Sequence, residues 1–472
     1  MTPTSGTADT APRVADRLKG HRLAAPWDVY GERVRKYEVH LSAGRVELIR
    51  GPVAVEGYGL RVIRPGDGTI GTGFQASTDL SAAGVQRVVD EAESNARFAK
   101  FPARSIELPS TVVPRAEVSI IDPSLWDDPA GSLRRHIAAL QDALQAEPDA
   151  SVTFGSVKAI LTETTLANSS GLEASYQHAT VMTELGVLAH GGPEGAPAGE
   201  YWVTDIARRL ETDDLPSKVH AWARYARDAR HASPPPTGEI AVLLPPESLD
   251  GILPGALGFQ FSGMGRLHEL APAKGAAVGP DWLEIADDGT VPWAPKSSPF
   301  DDEGVGQRRR ELVLGGRTDD LMCDLAHASA TGLTPTGNGL RIAGGGPPQW
   351  LRFTQSPRPT TSTISIPAGV GGTDEELAEQ AGEGVLVQQF GWASPDGSTT
   401  AFGGEIRIGY RIHNGKIGEP IRGGTVGGRV VAPDGGRSLL HDLVAAGKTP
   451  QLSGGVLVPS LLSRGLTVSG ES

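Results

Sequence analysis

The sequence predicts an α+β protein, with an N-terminal α/β domain followed by a mostly antiparallel β domain, and three observations support this. Segments of strand period and segments of helical period alternate through the first half. A run of three prolines in SPPPTG (233–238) then holds the backbone extended and marks a passage between domains. Beyond it the apolar pattern changes, and short strand-like runs dominate. The predicted organisation is a mobile tail over 1–30, an α/β domain over 31–235 and a β-rich domain over 236–472.

The elements follow in order. Tyr37 to Ile49 alternate loosely, and YGLRVIRP (58–65) followed by GDGTIGTGFQAST reads as strand, glycine turn, strand. In the next segment Val85, Val88, Ala92, Ala96 and Ala99 recur every three or four residues, the period of a helix. A second helix around 131–146 places Leu133, Ile137, Leu140 and Leu144 on one face. Two strands then flank the turn Asn168-Ser169-Ser170-Gly171, and a third helix near 217–231 turns Val219, Trp222, Ala226 and Ala229 inward.

In the second half the strand signals are EIAVLLP, WLRFTQ, TSTISIP, EGVLVQQF, 401–421 and GGVLVPSLL. Ile406, Ile408, Tyr410 and Ile412 alternate with Arg407, Gly409, Arg411 and His413, so one face is buried and the other wet. Asn414-Gly415 supplies the residues of a type I′ hairpin. Thr373 and Glu376 make a capping box for one interrupting helix, TDEELAEQA.

Composition narrows the function classes. A formal charge of -13 opposes nonspecific binding to nucleic acid or to an anionic membrane, both of which need a cationic field. The single cysteine, Cys323, excludes an intrachain disulfide and an all-cysteine zinc site, which points to a reducing, cytoplasmic setting. The first 26 residues contain no continuous apolar segment approaching a membrane helix.

Most chemical motifs are missing or broken. Gly66, Gly68 and Gly71 match GxGxxG, but no helix follows to receive a phosphate, so a hairpin turn is expected. No G-x-S-x-G occurs. His268-Glu269 begins like a zinc-peptidase helix, yet Pro272 stands where the second histidine belongs. Cys323, expected in a short helix DDLMCDLAHA, has Asp319, Asp320 and Asp324 around it, which oppose a reactive thiolate.

The densest charge lies in Ser298 to Gly346, where Asp301, Asp302 and Glu303 precede the arginines Arg308, Arg309 and Arg310. Unpartnered interior charges cost several kcal/mol each, so these groups must pair, coordinate something or face solvent.

Taken together, GYGLRVI, GTGFQASTDLS, VVDEAESNARFAKF, ANSSGLEASYQ, YWVTDIARRLE, SSPFDDEGVGQRRRELVLGG and TGNGLR resemble, in order and spacing, the TldD/TldE (PmbA) family of metalloprotease-related proteins. The resemblance covers nearly all of the chain beyond the first thirty residues. It implies an N-terminal α/β and a C-terminal β domain. It also implies two kinds of subunit: a TldD type carrying zinc on an HExxxH helix, and a TldE type without it. Here that helix falls in PESLDGILPGALGFQFSGMG, with Pro254, Gly255 and Phe259 at the positions of the two histidines and the glutamate. No cysteine follows Cys323.

The resemblance therefore implies a TldE/PmbA-type chain with no metal or cofactor site of its own. Its expected partner is a zinc-bearing TldD-type subunit and its expected substrate an extended peptide, with no role for nucleic acid or membrane. An alternative is an independent tailoring enzyme of a peptide- or amino-acid-derived natural product, using Asp301, Asp302 or Glu303 in acid–base catalysis. The expectation favoured over that one is that local arginines and backbone N–H groups hold these carboxylates and order the turn into ELVLGG.

Overall fold

The computed structural model describes residues 9–19, 23, 25–103, 105–190, 199–210, 214–342 and 351–470. The end of the charged stretch, 343–346, lies outside them, as do parts of the segment expected to be a tail.

That tail expectation needs correcting. Helix α1 (Thr10–Lys19) buries Ala11, Val14, Ala15 and Leu18, which share one face by helical spacing, and strand β1 begins at Trp27. Packing of this apolar stripe on the sheet orders the segment, and Ala11 N–H donates to Thr165 Oγ1 at 3.0 Å.

The N-terminal domain is built on one seven-stranded sheet in the order β4-β3-β2-β1-β5-β6-β7. Its strands are β1 (Trp27–Ser42), β2 (Arg45–Pro65), β3 (Ile70–Ser77), β4 (Lys100–Phe101), β5 (Ala150–Asn168), β6 (Glu173–Ala189) and β7 (Gly199–Ala207). Every pairing is antiparallel, so the domain is α+β rather than a parallel α/β unit. Short connections between sequential strands allow this, whereas a parallel pair needs a crossover of a dozen residues or more. Helices α1, α2 (Ala82–Phe98), α3 (Pro123–Asp127), α4 (Pro129–Gln145) and α5 (Leu215–Ala229) complete the domain.

The period of two along β1 decides what each face meets. Val29, Val39 and Leu41 point to the side covered by α1, α2, α4 and α5. Tyr30, Glu32 and Val34 are also buried, on the face that receives the C-terminal domain.

The connector Pro234-Pro235-Pro236 leads into that second domain. Its first part comprises β8 (Ala241–Leu244), α6 (Pro246–Asp250), α7 (Leu253–Gln260), α8 (Gly263–Leu267), β9 (Ile285–Asp288), β10 (Arg309–Leu314), β11 (Arg317–Thr318) and α9 (Leu325–Thr331). Strands β12 (Gly339–Leu340), β13 (Arg358–Pro359) and β14 (Ile364–Ser365) follow, then α10 (Asp374–Ala381), β15 (Gly384–Phe390), β16 (Ala401–His413), β17 (Lys416–Ile421) and β18 (Thr425–Arg429). The chain closes with β19 (Leu443–Ala446), β20 (Gln451–Ser453), β21 (Val456–Val458), β22 (Leu461–Ser463) and β23 (Thr467–Ser469).

Apart from the two-stranded β12–β13 pair, these strands form a six-stranded and an eight-stranded sheet around a shared apolar core that includes Leu244, Leu257, Phe261, Ile285, Ile406 and Val458. Antiparallel pairs prevail, with β8–β15 and β14–β21 parallel. The β16–β17 hairpin turns at Asn414 (φ 51°) and Gly415 (φ 73°), the positive values that a type I′ turn demands. The capping box at Thr373 and Glu376 is present.

Candidate functional site

Two places hold the residues singled out by the sequence: the acidic turn 301–303 and the helix α7.

The acidic turn is driven into the domain interface. Asp301, Asp302 and Glu303 are all buried, which an isolated charge does not tolerate. Each has a distinct set of partners. Asp301 accepts three backbone N–H bonds, from Glu303 (3.0 Å), Val305 (2.9 Å) and Gly339 (2.9 Å). Asp302 accepts from Arg341 N–H (2.6 Å) and pairs with the Arg352 guanidinium. Glu303 accepts from Leu325 N–H (2.8 Å) and lies 2.7 Å from Arg61 Nη1.

Backbone N–H groups do hold these carboxylates, but the arginines are not the neighbouring triplet. Arg308 is exposed, Arg309 pairs with Glu311 at 2.7 Å, and Arg310 pairs with Asp320. A β-strand carries successive side chains to opposite sides, so the consecutive arginines that lead into β10 cannot all turn back into the turn that precedes them. The cations come instead from β2 (Arg61) and from the 351–354 segment (Arg352).

Around this turn the network spans both domains. Arg61 Nε donates to Asp28 at 2.7 Å, and Arg341 reaches the other oxygen of Asp28 at 3.3 Å. The buried Arg341 guanidinium also lies over the Tyr30 ring, 4.9 Å from its centroid, a cation–π contact strengthened by desolvation. Glu32 accepts from Tyr30 Oη–H (2.9 Å) and Phe353 N–H (3.0 Å), and burial pushes its carboxyl up to about 7. Burial also raises Asp301 and Glu303 above the usual carboxylate range, with Arg61 opposing the shift at Glu303. Two glycines make the turn possible. Gly304 takes φ 88°, and a Cβ on Gly306 would fall 1.7 Å from Pro114 O.

A neighbouring polar knot supports the other side of the turn. Asn338 donates to Asp287 at 2.6 Å and accepts from Thr336, while Asp287 also receives Ser362 N–H at 2.7 Å. Asp287 is fully buried, which pushes it up to about 6. Asn338 and Arg341 belong to the TGNGLR motif.

The second place is α7. Its buried side, Leu253, Ala256, Leu257 and Gln260, packs into the C-terminal core. Pro254, Gly255 and Phe259 occupy its more accessible side. None of these side chains has an atom able to bind zinc, so the residues present do not fit the metal implied by the family. Phe259 stacks on the His268 ring (centroids 6.1 Å, 20° between planes), and a Cβ at Gly255 would sit 3.3 Å from the Pro395 ring. Among the described residues, no group of three or more His, Cys, Asp or Glu side chains is arranged to hold a metal ion.

Behind α7, Lys296 Nζ donates to Thr361 O at 3.2 Å, and burial lowers its pKa. His268 ends α8 and Glu269 takes φ 60°, so they do not form the start of a zinc helix.

Cys323 precedes α9 rather than lying within a helix, because Asp324 caps α9 by accepting His327 N–H at 2.7 Å. Burial and the Asp324 charge push the thiol up to about 12. The residues that sequence reasoning missed are Asp28, Glu32, Arg61, Asp287 and Arg352. Each is a single polar residue in an otherwise ordinary strand or loop, and only the tertiary fold brings them together.

An antiparallel α+β domain joined through buried ion pairs to a β domain of two large sheets and one small one defines the class of protein. Residues 237–470 match the model of the PmbA/TldA metallopeptidase C-terminal domain, and residues 27–96 match that of PmbA/TldA metallopeptidase domain 1. The chain belongs to the PmbA/TldD family.

It is 26% identical over 312 residues to the Metalloprotease TldD homolog of Buchnera aphidicola, covering 62% of this chain and 59% of that one. To Metalloprotease PmbA of Escherichia coli O157:H7 it is 23% identical over 204 residues, 43% of this chain and 39% of that one. The chain spans less than two thirds of the length of the curated relatives it matches. The crystal structure of TldE from Thermococcus kodakarensis superposes with a TM-score of 0.77 at 18% identity, over 98% of this chain and 100% of that one, so the fold is shared. No helix among the described residues is long and apolar enough to cross a membrane.

Proposed function

We propose that this chain is the TldE/PmbA-type, non-catalytic subunit of a heterodimeric zinc metallopeptidase acting on peptides in the cytoplasm. The observation that carries the reading is α7. The sequence resemblance puts the family's two zinc histidines and its glutamate on this helix, where the chain has Pro254, Gly255 and Phe259. A hydrolytic zinc site needs three protein ligands and a base to activate water, and this helix supplies none of them.

In this reading the zinc and the activated water belong to a TldD-type partner, and this chain shapes the cleft in which an extended peptide lies along strand edges. Burial of Asp301, Asp302 and Glu303 in pairs and N–H bonds supports a holding role, since an acid–base catalyst must reach its substrate. Mixing the purified chain with a zinc-bearing TldD-type relative should give a 1:1 complex by light scattering, with chelator-sensitive peptidase activity appearing only in the mixture. Two non-associating proteins, with activity unchanged from that of the zinc-bearing chain alone, would refute the assignment.

A further inference from the structure

One edge of the N-terminal sheet has a gap in its hydrogen bonding. Strand β7 pairs with β6 only from Val181 onward, so Glu173 to Thr180 of β6 have β5 on one side and, among the described residues, no strand on the other. The segment 115–121 runs beside this free edge and touches it at two points. Arg115 donates to Ser175 O at 2.8 Å, and Ala179 N–H donates to Ile120 O at 3.3 Å. Backbone groups along a strand alternate sides with a period of two, so Gln177, midway between these points, presents its own N–H and C=O outward. Among the described residues neither group has a partner. Between edge and segment, and extending over Glu163, Thr164 and Thr165 of β5, lies a cleft of about 340 Å³, with Val118, Ile120, Ile121 and Pro299 on its outer wall.

We propose that this cleft binds the carboxy-terminal end of an extended peptide. The peptide runs antiparallel to β6, its third-last residue takes the open rung at Gln177, and its terminal carboxylate meets Arg115. The spacing fits: two residues along a strand cover roughly 7 Å, the step from Gln177 to Ser175 where Arg115 stands. Arg115 lies over the Phe300 ring at 5.3 Å and uses one N–H on Ser175 O, leaving further donors of its fork for a carboxylate. The apolar wall accommodates a small aliphatic side chain. The volume holds about three residues of chain, within the lower range of small-ligand sites. This inference rests on the peptide-handling role proposed above for the class of ligand, and it assigns an edge and an anchor that the role does not specify.

The test uses the purified chain alone and acetyl-Ala-Val-Ala, followed by calorimetry or amide NMR. The free acid should bind saturably. Its C-terminal amide should bind at least about tenfold more weakly, as should the acid N-methylated on the first alanine, since each change removes one anchor. Arg115→Leu, a change at an exposed side chain, should cost a similar factor while leaving the melting temperature unchanged. Equal affinities for acid and amide, or an N-methylated peptide that binds as well as the parent, would overturn the proposal. Failure here would leave the subunit assignment untouched, because that is tested by assembly and zinc rather than by tripeptide binding.

Discussion

Glu303 of the C-terminal domain and Arg61 of β2 meet at 2.7 Å with both side chains almost wholly buried. This contact turns an acidic triplet, which reads in the sequence as a possible active site, into part of the bond between two domains. Arg61 is shared with Asp28, and Asp28 with Arg341, so four charges neutralise one another across the interface.

Breaking that pair should be costly. Glu303→Gln leaves Arg61 short of one anion in a buried site, and a broken buried pair costs roughly 3 kcal/mol or more. Urea denaturation should show the loss. In a double-mutant cycle with Arg61→Met, a coupling of at least about 1 kcal/mol is expected, and additive effects would contradict the role given to the contact.

Asp302→Asn should act in the same direction. The Arg352 ion pair is lost while the Arg341 N–H bond can persist, so a destabilisation of about 2–3 kcal/mol is expected, with little effect on the activity of an assembled complex. If turnover vanished while assembly and melting temperature held, Asp302 would have to be placed in the chemistry.

Glu32 gives the interface a pH signature. Its carboxyl is raised to about 7, against roughly 4.3 for an unfolded chain, so between these values the folded state binds the extra proton. Stability then falls as pH rises through this window, by up to about 3.5–4 kcal/mol. In Glu32→Gln this contribution disappears. The stability difference, wild type minus variant, should therefore decline between about pH 4.5 and 7 and then level off, as read by urea midpoints across that range.

Cys323 should be inert. A thiol raised to about 12 and fully buried offers almost no thiolate at pH 8. Labelling with an aromatic disulfide reagent should proceed only at the rate of unfolding, and should become immediate in denaturant. Fast labelling of the native chain would mean that the 323–327 segment opens.

Local pattern was enough for many elements. Leu133, Ile137 and Leu140 mark α4 by their spacing, Asn414-Gly415 marks a hairpin by its left-handed backbone, and Thr373 with Glu376 marks the start of α10. Each of these signals lies within a few residues of the structure it causes. Helix α1 was equally legible in Ala11, Val14, Ala15 and Leu18, but its polar surroundings read as a tail.

The partners of the acidic turn were not legible. Arg61 and Arg352 lie far from it along the chain, and an arginine on a strand looks the same whether it faces solvent or a buried carboxylate. The antiparallel order of the first sheet was hidden for a related reason, since helices between strands suggest a crossover until the pairing itself is seen.

The central claim is that catalytic metal resides in a partner and not in this chain. Zinc analysis of the chain purified alone, paired with a peptidase assay on the same sample, tests it most directly. Far less than one zinc per chain and no chelator-sensitive cleavage are expected. One zinc per chain accompanied by peptidase activity would contradict it.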